Sequence, residues 1–389
     1  MKPSQKFLSS MLIVLCLIAG GAILSPVQAH ATSTQANWVQ AGFDRQRDGY
    51  NPFEYQITPS NVASLHQVWQ LAYGSAQIAA PVEVNGVLYF GEGGDMQAVQ
   101  ASTGNPLWSR GWNACMCVSP VVVNGIVYAA SGNSTLYAMK ATNGTLLWSY
   151  TTKGGLLVSP LWANGTIYVA SSDGNLYALN STTGKLLWQF AAGGLLAGTL
   201  ATDNGIVYLS ASNSGVLYAV NATTGKLVWT YPTNFAAIVA NKLVYVVGYT
   251  SMSALNESTG KLVWSRSISG PANTIAGAAV ANGILYVEGS FGPALYALNA
   301  STGTLVWSTG TNGLNYWDGT PTIANGVLYV GGEGYDPTSS EMRAYNAATG
   351  ALLWYADDTA GVNAVAPIVV NGMLFFASYG DSAMQAYHL

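Results

Sequence analysis

A tryptophan recurs along this chain at nearly constant spacing, and this repeat constrains the fold more than any other feature. Successive members lie 39, 40, 40, 41, 35, 43 and 47 residues apart: Trp69, Trp108, Trp148, Trp188, Trp229, Trp264, Trp307 and Trp354. An Asn-Gly pair recurs in phase with them seven times, and Asn241 with Lys242 takes the eighth position. A repeat of about 40 residues indicates structural units that bury their apolar faces against one another.

Each unit has the pattern of four short strands. In the unit that ends at Trp188, β-branched, aromatic and aliphatic residues lie between three turn signals, which are Asn164-Gly165, Asp173-Gly174 and Thr183-Gly184. Asn-Gly favours a two-residue hairpin turn because both central residues can adopt a positive φ. Four strands in each of eight units predict an all-β fold, an eight-bladed β-propeller with four-stranded antiparallel blades.

The two ends of the repeat region predict how the ring closes. The last unit has three strands and no fourth, whereas residues 65–70 form a lone fourth strand that carries Trp69. We expect this N-terminal strand to complete the C-terminal blade, which would bring His66 close to His388. Closure of this kind removes the free sheet edges that promote aggregation.

The composition excludes several functional classes. Half of the residues are hydrophobic and 8% are charged, which is not typical of a disordered chain. Thirteen basic residues, not clustered, face seventeen acidic ones, so no nucleic-acid partner is predicted. Three cysteines and three histidines leave little room for zinc sites or histidine-dependent hydrolysis, and no metal site is predicted.

Three segments are expected from the composition along the chain. Residues 1–31 have two lysines, a long apolar run and small residues before a cleavage point, which is typical of a signal peptide. An uncleaved membrane anchor is the alternative, because the run is longer than usual. Residues 32–61 form an N-terminal arm that docks on the ring or binds a partner, and residues 62–389 form the propeller. The protein is expected to be secreted, periplasmic or on the cell surface.

One sequence motif resembles a known family. Residues 178–188 have the form A-x-N-x-x-T-G-K-x-x-W, and related copies occur in the other units. This is similar to the tryptophan-docking motif of the pyrroloquinoline-quinone (PQQ) repeat propellers, in which each tryptophan stacks on a glycine of a neighbouring motif. The family includes quinoprotein dehydrogenases, which hold PQQ and calcium on the propeller axis, and non-catalytic BamB-like scaffolds, to which this chain is most similar.

Strand connections alternate between the two ends of such a ring, so the linkers between blades converge at one end and form a funnel. A ligand is expected there, because loops on a rigid scaffold commonly carry function. The candidate cofactor-binding or ligand-binding residues of the funnel are Trp112, Asn113, Cys115, Cys117, Asn315, Trp317, Asp318 and Asn363. If the chain is a dehydrogenase, the resemblance implies that Asp318 is the catalytic base; the alternative is a surface loop.

The linker cysteines leave two interpretations open. The dehydrogenases of the family carry directly adjacent cysteines that form a disulfide, whereas Met116 separates Cys115 from Cys117 here. The pair therefore forms a small disulfide ring or remains as two buried thiols.

The sequence favours a monomeric, extracytoplasmic, non-enzymatic propeller that binds a protein, peptide or glycan at the funnel rim without a cofactor. The blades use almost all of residues 62–389, which leaves little chain for the loops that would cover a quinone. The alternative is a PQQ- and calcium-dependent dehydrogenase of alcohols or sugars. Membrane association is expected only through an uncleaved N-terminal anchor.

Overall fold

A computed structural model describes most of the chain after residue 35. The described ranges are residues 36–74, 77–112, 114–196, 198–211, 213–233, 235, 237–248, 251–267, 275–289, 295–309, 320–333, 340–358, 366–378 and 382–389. The predicted signal peptide, residues 1–31, lies outside them. Within these ranges no helix has the length and apolar character needed to cross a bilayer.

The described secondary structure is almost entirely β, with one short 3-10 helix at Val62–Ser64. The strands in chain order are β1 (Tyr50–Asn51), β2 (His66–Ala72), β3 (Val82–Val84), β4 (Val87–Glu92), β5 (Asp95–Gln100), β6 (Pro106–Gly111), β7 (Val121–Val123), β8 (Ile126–Ala130), β9 (Thr135–Lys140), β10 (Leu146–Thr151), β11 (Leu161–Ala163), β12 (Thr166–Ala170), β13 (Asn175–Asn180), β14 (Leu186–Ala191), β15 (Ala201–Asp203), β16 (Ile206–Ala211), β17 (Val216–Asn221), β18 (Leu227–Pro232), β19 (Ala237–Ala240), β20 (Leu243–Val247), β21 (Ser251–Asn256), β22 (Leu262–Ser267), β23 (Ile275–Ala281), β24 (Ile284–Gly289), β25 (Leu295–Asn299), β26 (Leu305–Thr309), β27 (Thr322–Ala324), β28 (Val327–Glu333), β29 (Ser340–Asn346), β30 (Leu352–Asp358), β31 (Ile368–Val370), β32 (Met373–Ser378) and β33 (Ala383–His388).

These strands form the eight predicted blades. Blades 1 to 7 are the consecutive groups of four antiparallel strands from β3 to β30, each ordered from the inner to the outer edge as in the chain. Blade 8 contains β31, β32 and β33, and β2 is its outer strand. The register places His66 opposite His388 and Trp69 opposite Ala386. The predicted closure by an N-terminal strand is confirmed.

The Asn-Gly turns have the predicted backbone geometry. Asn85 has a φ of 54° and Gly86 a φ of 79°, and both residues of all eight turns share the positive sign. In the divergent eighth turn Lys242 has a φ of 64°. A lysine in this left-handed region is strained, since its Cβ crowds the backbone.

The tryptophans join neighbouring blades in the way the motif implies. The indole N–H of Trp148 in blade 2 donates to the carbonyl of Ser181 in blade 3 at 3.2 Å. Its ring lies against Gly184, where an added Cβ would be 2.6 Å from the indole Cε3. The same pairing with a glycine recurs for Trp69, Trp108, Trp188, Trp229, Trp264 and Trp307.

The apolar cores lie between the blades rather than inside them. In β12, Ile167 and Tyr168 are both buried, although they point to opposite faces of the sheet. Ile167 packs toward blade 2 and Tyr168 toward blade 4. This arrangement explains why the strands are apolar on successive residues instead of alternating.

The N-terminal arm follows the inner circumference of the ring. Its residues from 38 to 51 bond to a residue of the innermost strand of every blade, in blade order. The bonds are Trp38 N to Glu83 O at 2.7 Å, Val122 N to Val39 O at 2.8 Å, Trp162 N to Gln40 Oε1 at 3.1 Å, Thr202 N to Arg45 O at 2.8 Å, Val239 N to Gln46 O at 3.2 Å, Val280 N to Asp48 O at 2.8 Å, Ile323 N to Gly49 O at 2.8 Å and Asn51 Nδ2 to Val369 O at 2.7 Å.

Two further contacts fix the arm inside the ring. Strand β1 pairs in parallel with β27 and so adds a fifth, innermost strand to blade 7. The Trp38 and Phe43 rings pack edge to face, with centroids 5.2 Å apart, and both residues are buried. The arm therefore bonds to all eight inner strands and lines the centre of the ring.

Candidate functional site

A cavity of about 370 Å³ lies on the axis, on the side of the ring where the linkers meet. Its floor is the N-terminal arm, including Trp38, Gly42 and Arg47. Its walls come from residues at or just before the inner strands, among them Ala79, Cys117, Ser159, Thr199, Pro321 and Pro367. The volume falls in the range of small-molecule sites, about 300–1,000 Å³.

Arg47 is the charged residue among the described residues that line this cavity. Its side chain is 3% exposed, and its Nη2 donates to the carbonyls of Pro160 at 2.8 Å and Ser159 at 3.3 Å. Its Nε and Nη1 have no hydrogen-bond partner. Burial lowers the pKa of Arg47 to about 10, although the nearby negative charge of Asp44 acts to raise it. The guanidinium therefore still carries its charge at neutral pH.

Two carboxyl groups of the arm accompany this cation. Burial raises the pKa of Asp44, although backbone hydrogen bonds from Gln46 and Arg47 oppose the rise. Burial and the charge of Asp44 raise the pKa of Asp48 to about 8. Both side chains are held in turns, since Asp44 Oδ1 accepts from Gln46 N at 2.8 Å and Asp48 Oδ1 from Tyr50 N at 3.0 Å.

The linker between blades 1 and 2 forms part of the rim. Cys115 and Cys117 are joined by a disulfide, the first of the two interpretations left open by the sequence. Cys117 lines the cavity, and its Sγ lies 3.0 Å from Gln77 Oε1. Trp112 stacks on Tyr137 with a centroid distance of 4.5 Å, and the Arg110 guanidinium lies 5.7 Å from the Trp112 ring.

The remaining sequence-predicted site residues fall outside the described ranges: Asn113, Asn315, Trp317, Asp318 and Asn363. Their place at the funnel stays a prediction. Sequence reasoning missed Arg47 as a cavity residue. The only signal for it was the unusual charge of the segment that contains Asp44, Arg45, Arg47 and Asp48, which does not reveal that the segment lies inside the ring.

The donor set around the cavity tests whether calcium and PQQ fit. Calcium takes about six to eight oxygen ligands, typically with carboxylates among them. None of the described lining residues is Asp or Glu, and the Arg47 guanidinium repels a cation. In the described part of the chain no three His, Cys, Asp or Glu side chains form a group that could hold a metal. The described residues therefore do not fit calcium, and we derive no reaction step through a quinone.

Solved structures with the same fold belong to both functional types. The quinohemoprotein alcohol dehydrogenase from Comamonas testosteroni has a TM-score of 0.77 at 16% identity, over 92% of this chain and 81% of that chain. The one from Pseudomonas putida has 0.74 at 15% identity, over 91% and 80%. BamB from Moraxella catarrhalis has 0.64 at 17% identity, over 84% and 98%. At these identities the likeness shows the fold alone.

The comparison of sequences is more informative about the family. No curated protein matches the chain. One family model, described as outer membrane protein assembly factor BamB, matches three overlapping stretches, residues 60–189, 152–275 and 250–387. Together these stretches span nearly all of the eight blades. The chain therefore belongs to the family described as outer membrane protein assembly factor BamB and is a PQQ-like β-propeller.

Proposed function

We propose that this protein is an extracytoplasmic, non-enzymatic propeller that binds a protein, peptide or glycan partner at the rim of its funnel. One observation carries the proposal: the arm bonds to all eight inner strands and forms the floor of the axial cavity. What remains above it is a mostly apolar cavity whose described lining residues include one cation and no acid. Such a lining favours binding over metal-assisted chemistry.

The rim has side chains suited to recognition. Trp112 is half-buried, and it is supported by the stacked Tyr137 and the cation of Arg110. Leu157, in the linker before blade 3, is 60% exposed. Supported aromatic side chains such as Trp112 commonly form the energetic centre of an interface. An extracytoplasmic location is supported by the family description and by the signal-like residues 1–31.

The experiment first selects binders of the chain and then measures how variants of the rim change their affinity. Displayed peptide libraries and a glycan array would be screened against the purified chain, and the affinity of the best binder measured by calorimetry. We expect Trp112→Ala to weaken binding by about tenfold or more, the usual loss for an aromatic anchor. Leu187→Ala is the matched control, because Leu187 is 53% exposed on the outer strand β14, away from the rim.

The two outcomes are distinct. Selective loss with Trp112→Ala, at unchanged melting temperature, supports rim binding. Equal losses in both variants would contradict it, as would stoichiometric binding of PQQ and calcium with turnover of an alcohol or sugar.

A second candidate function, PQQ-dependent oxidation of alcohols or sugars, is favoured by the Cys115–Cys117 disulfide at the mouth of the cavity. It is tested by adding PQQ and calcium to the chain and following quinone absorbance and dye reduction. Binding without reduction, or no binding, would remove this candidate.

A further inference from the structure

The cation on the cavity floor lacks the partners that a buried guanidinium normally has. Arginine has five N–H donors, and buried polar groups are nearly always hydrogen-bonded. Of the three Arg47 nitrogens, Nη2 bonds to the carbonyls of Ser159 and Pro160, whereas Nε and Nη1 have no partner. The neighbouring Arg45, in contrast, has a carboxylate partner, since its Nη2 lies 3.8 Å from Asp203 Oδ1.

A purely structural role does not explain this arrangement. Two carbonyl oxygens can be held by any long donor side chain, and a buried charge without a counter-ion is costly to fold. The acidic groups of the arm compensate the buried charge of Arg47 only in part. Asp44 is close enough for its charge to act on Arg47, but its Oδ1 accepts from Gln46 N at 2.8 Å. Asp48, whose pKa is about 8, is mostly neutral at pH 7.

We propose that the axial cavity binds a small organic carboxylate with an apolar body, and that the Arg47 guanidinium holds the carboxylate. This site lies below the rim and does not depend on the partner proposed above. The unpartnered Nε and Nη1 can each donate a charge-assisted hydrogen bond to a carboxylate oxygen. Both atoms are buried in the ligand-free chain, so the guanidinium has to shift toward the cavity for them to reach the ligand.

The walls of the cavity decide what the rest of the ligand is. Most of the described wall residues are apolar, and they include Ile238, Val247, Ala278 and Ile368. A multiply charged oxyanion such as phosphate would lose most of its hydration there and gain one cation. A monocarboxylate places its single charge on Arg47 and its apolar body against the walls, which removes apolar surface from water.

The test compares an acid with its neutral analogue. Hydrocinnamate, hydrocinnamide and inorganic phosphate would be titrated separately into the full chain by calorimetry at pH 7, with thermal shift as a second readout. We expect hydrocinnamate to bind and to raise the melting temperature. We expect the amide and phosphate to bind about tenfold more weakly or not at all, because each lacks either the charge or the apolar body.

Two variants distinguish the role of Arg47 from that of Arg45. Arg47→Met should reduce hydrocinnamate affinity by about tenfold or more, and Arg45→Met, which changes the neighbouring arm cation, should leave it unchanged. If Arg47→Met does not fold, Thr199→Phe, at an exposed lining position, should block the cavity and abolish binding. The proposal would be overturned by equal binding of hydrocinnamate and its amide, or by phosphate binding as tight as hydrocinnamate. Full affinity in Arg47→Met or Thr199→Phe, or an equal loss in Arg45→Met, would also overturn it. Failure at this site would leave the rim proposal intact, since the rim is tested with Trp112→Ala.

Discussion

Trp69 donates its indole N–H to the carbonyl oxygen of Ala101 at 2.8 Å, and this bond joins blade 8 to blade 1. An equivalent bond connects each of the remaining pairs of neighbouring blades, for example Trp108 to Ala141 and Trp229 to Glu257. The N-terminal strand β2 therefore supplies blade 8 with the outer strand and also with the docking tryptophan. Closure of the ring continues the same inter-blade contact that joins all the other blades.

The first prediction concerns the burial of a docking tryptophan. Trp229 is 9% exposed, donates to Glu257 O at 2.9 Å and packs on Gly260. Trp229→Ala should lower the free energy of unfolding, measured by urea denaturation, by about 3–5 kcal/mol. Trp229→Phe keeps a ring but loses the hydrogen bond, so its loss should be smaller. A loss below about 1 kcal/mol in the alanine variant would show that the stack adds little.

The second prediction isolates the contact between tryptophan and glycine. Gly184 and Gly165 have similar φ values of 69° and 79°, so alanine costs a similar backbone strain at both. A Cβ at Gly184 would meet Trp148 at 2.6 Å, whereas a Cβ at Gly165 has nothing within 4 Å. Gly184→Ala should therefore destabilise by about 1–3 kcal/mol more than Gly165→Ala in urea denaturation. Equal losses would mean that the indole is free to move away.

The third prediction concerns the pH dependence of stability. The folded chain holds the proton of Asp48 up to about pH 8, because burial and Asp44 raise the pKa from its ordinary value of 3.8. Between these two values the folded state binds more protons than the unfolded state, so stability falls as pH rises. Asp48→Asn removes this dependence and keeps an oxygen acceptor for Tyr50 N. Its melting temperature should exceed that of the wild type by more at about pH 9 than at about pH 5.

Asp173→Asn is the control for this pH dependence. Burial raises the pKa of Asp173, but hydrogen bonds from Tyr177, Asn175 and Lys153 outweigh burial and leave the pKa lowered. The contribution of the Asp173 carboxylate to stability is therefore present at pH values above its ordinary pKa of 3.8 and is lost only at lower pH. The difference between Asp173→Asn and wild type should stay constant from about pH 5 to about pH 9. A constant difference for Asp48→Asn as well would contradict a raised pKa for Asp48.

The fourth prediction is a stabilising substitution in blade 6. Glu288 is fully buried opposite Leu295 in β25, and neither carboxyl oxygen has a hydrogen-bond partner. Burial raises its pKa well above the ordinary value, because it disfavours the charged form. Glu288→Met should raise the free energy of unfolding by about 1–3 kcal/mol, since it removes an unsatisfied polar group. A destabilised variant would show that the carboxyl group has a role in the fold.

The sequence predicted the ring well because its signals are local and repeated. Asn164 with Gly165 defines a turn and Trp188 an outer strand, and the tryptophan recurs in every blade while the Asn-Gly pair recurs in all but one. The arm could not be placed in the same way. Its contacts with Val122, Thr202 and Ile323 are bonds between backbone atoms, which any sequence can form. The buried Glu288 was missed for a related reason, because a strand pattern does not show which polar residue lacks a partner.

The most direct test of the account is a cross-link between the two strands that close the ring. Residues opposite each other in antiparallel strands have Cα atoms about 4.5–5.5 Å apart, within the range of a disulfide. His66→Cys with His388→Cys should therefore form a disulfide on mild oxidation, detected by mass spectrometry, and raise the melting temperature. The control pairs His66→Cys with Asn221→Cys of β17 in blade 4. Absence of the first link, or equal linking in the control, would contradict the closed ring of eight blades.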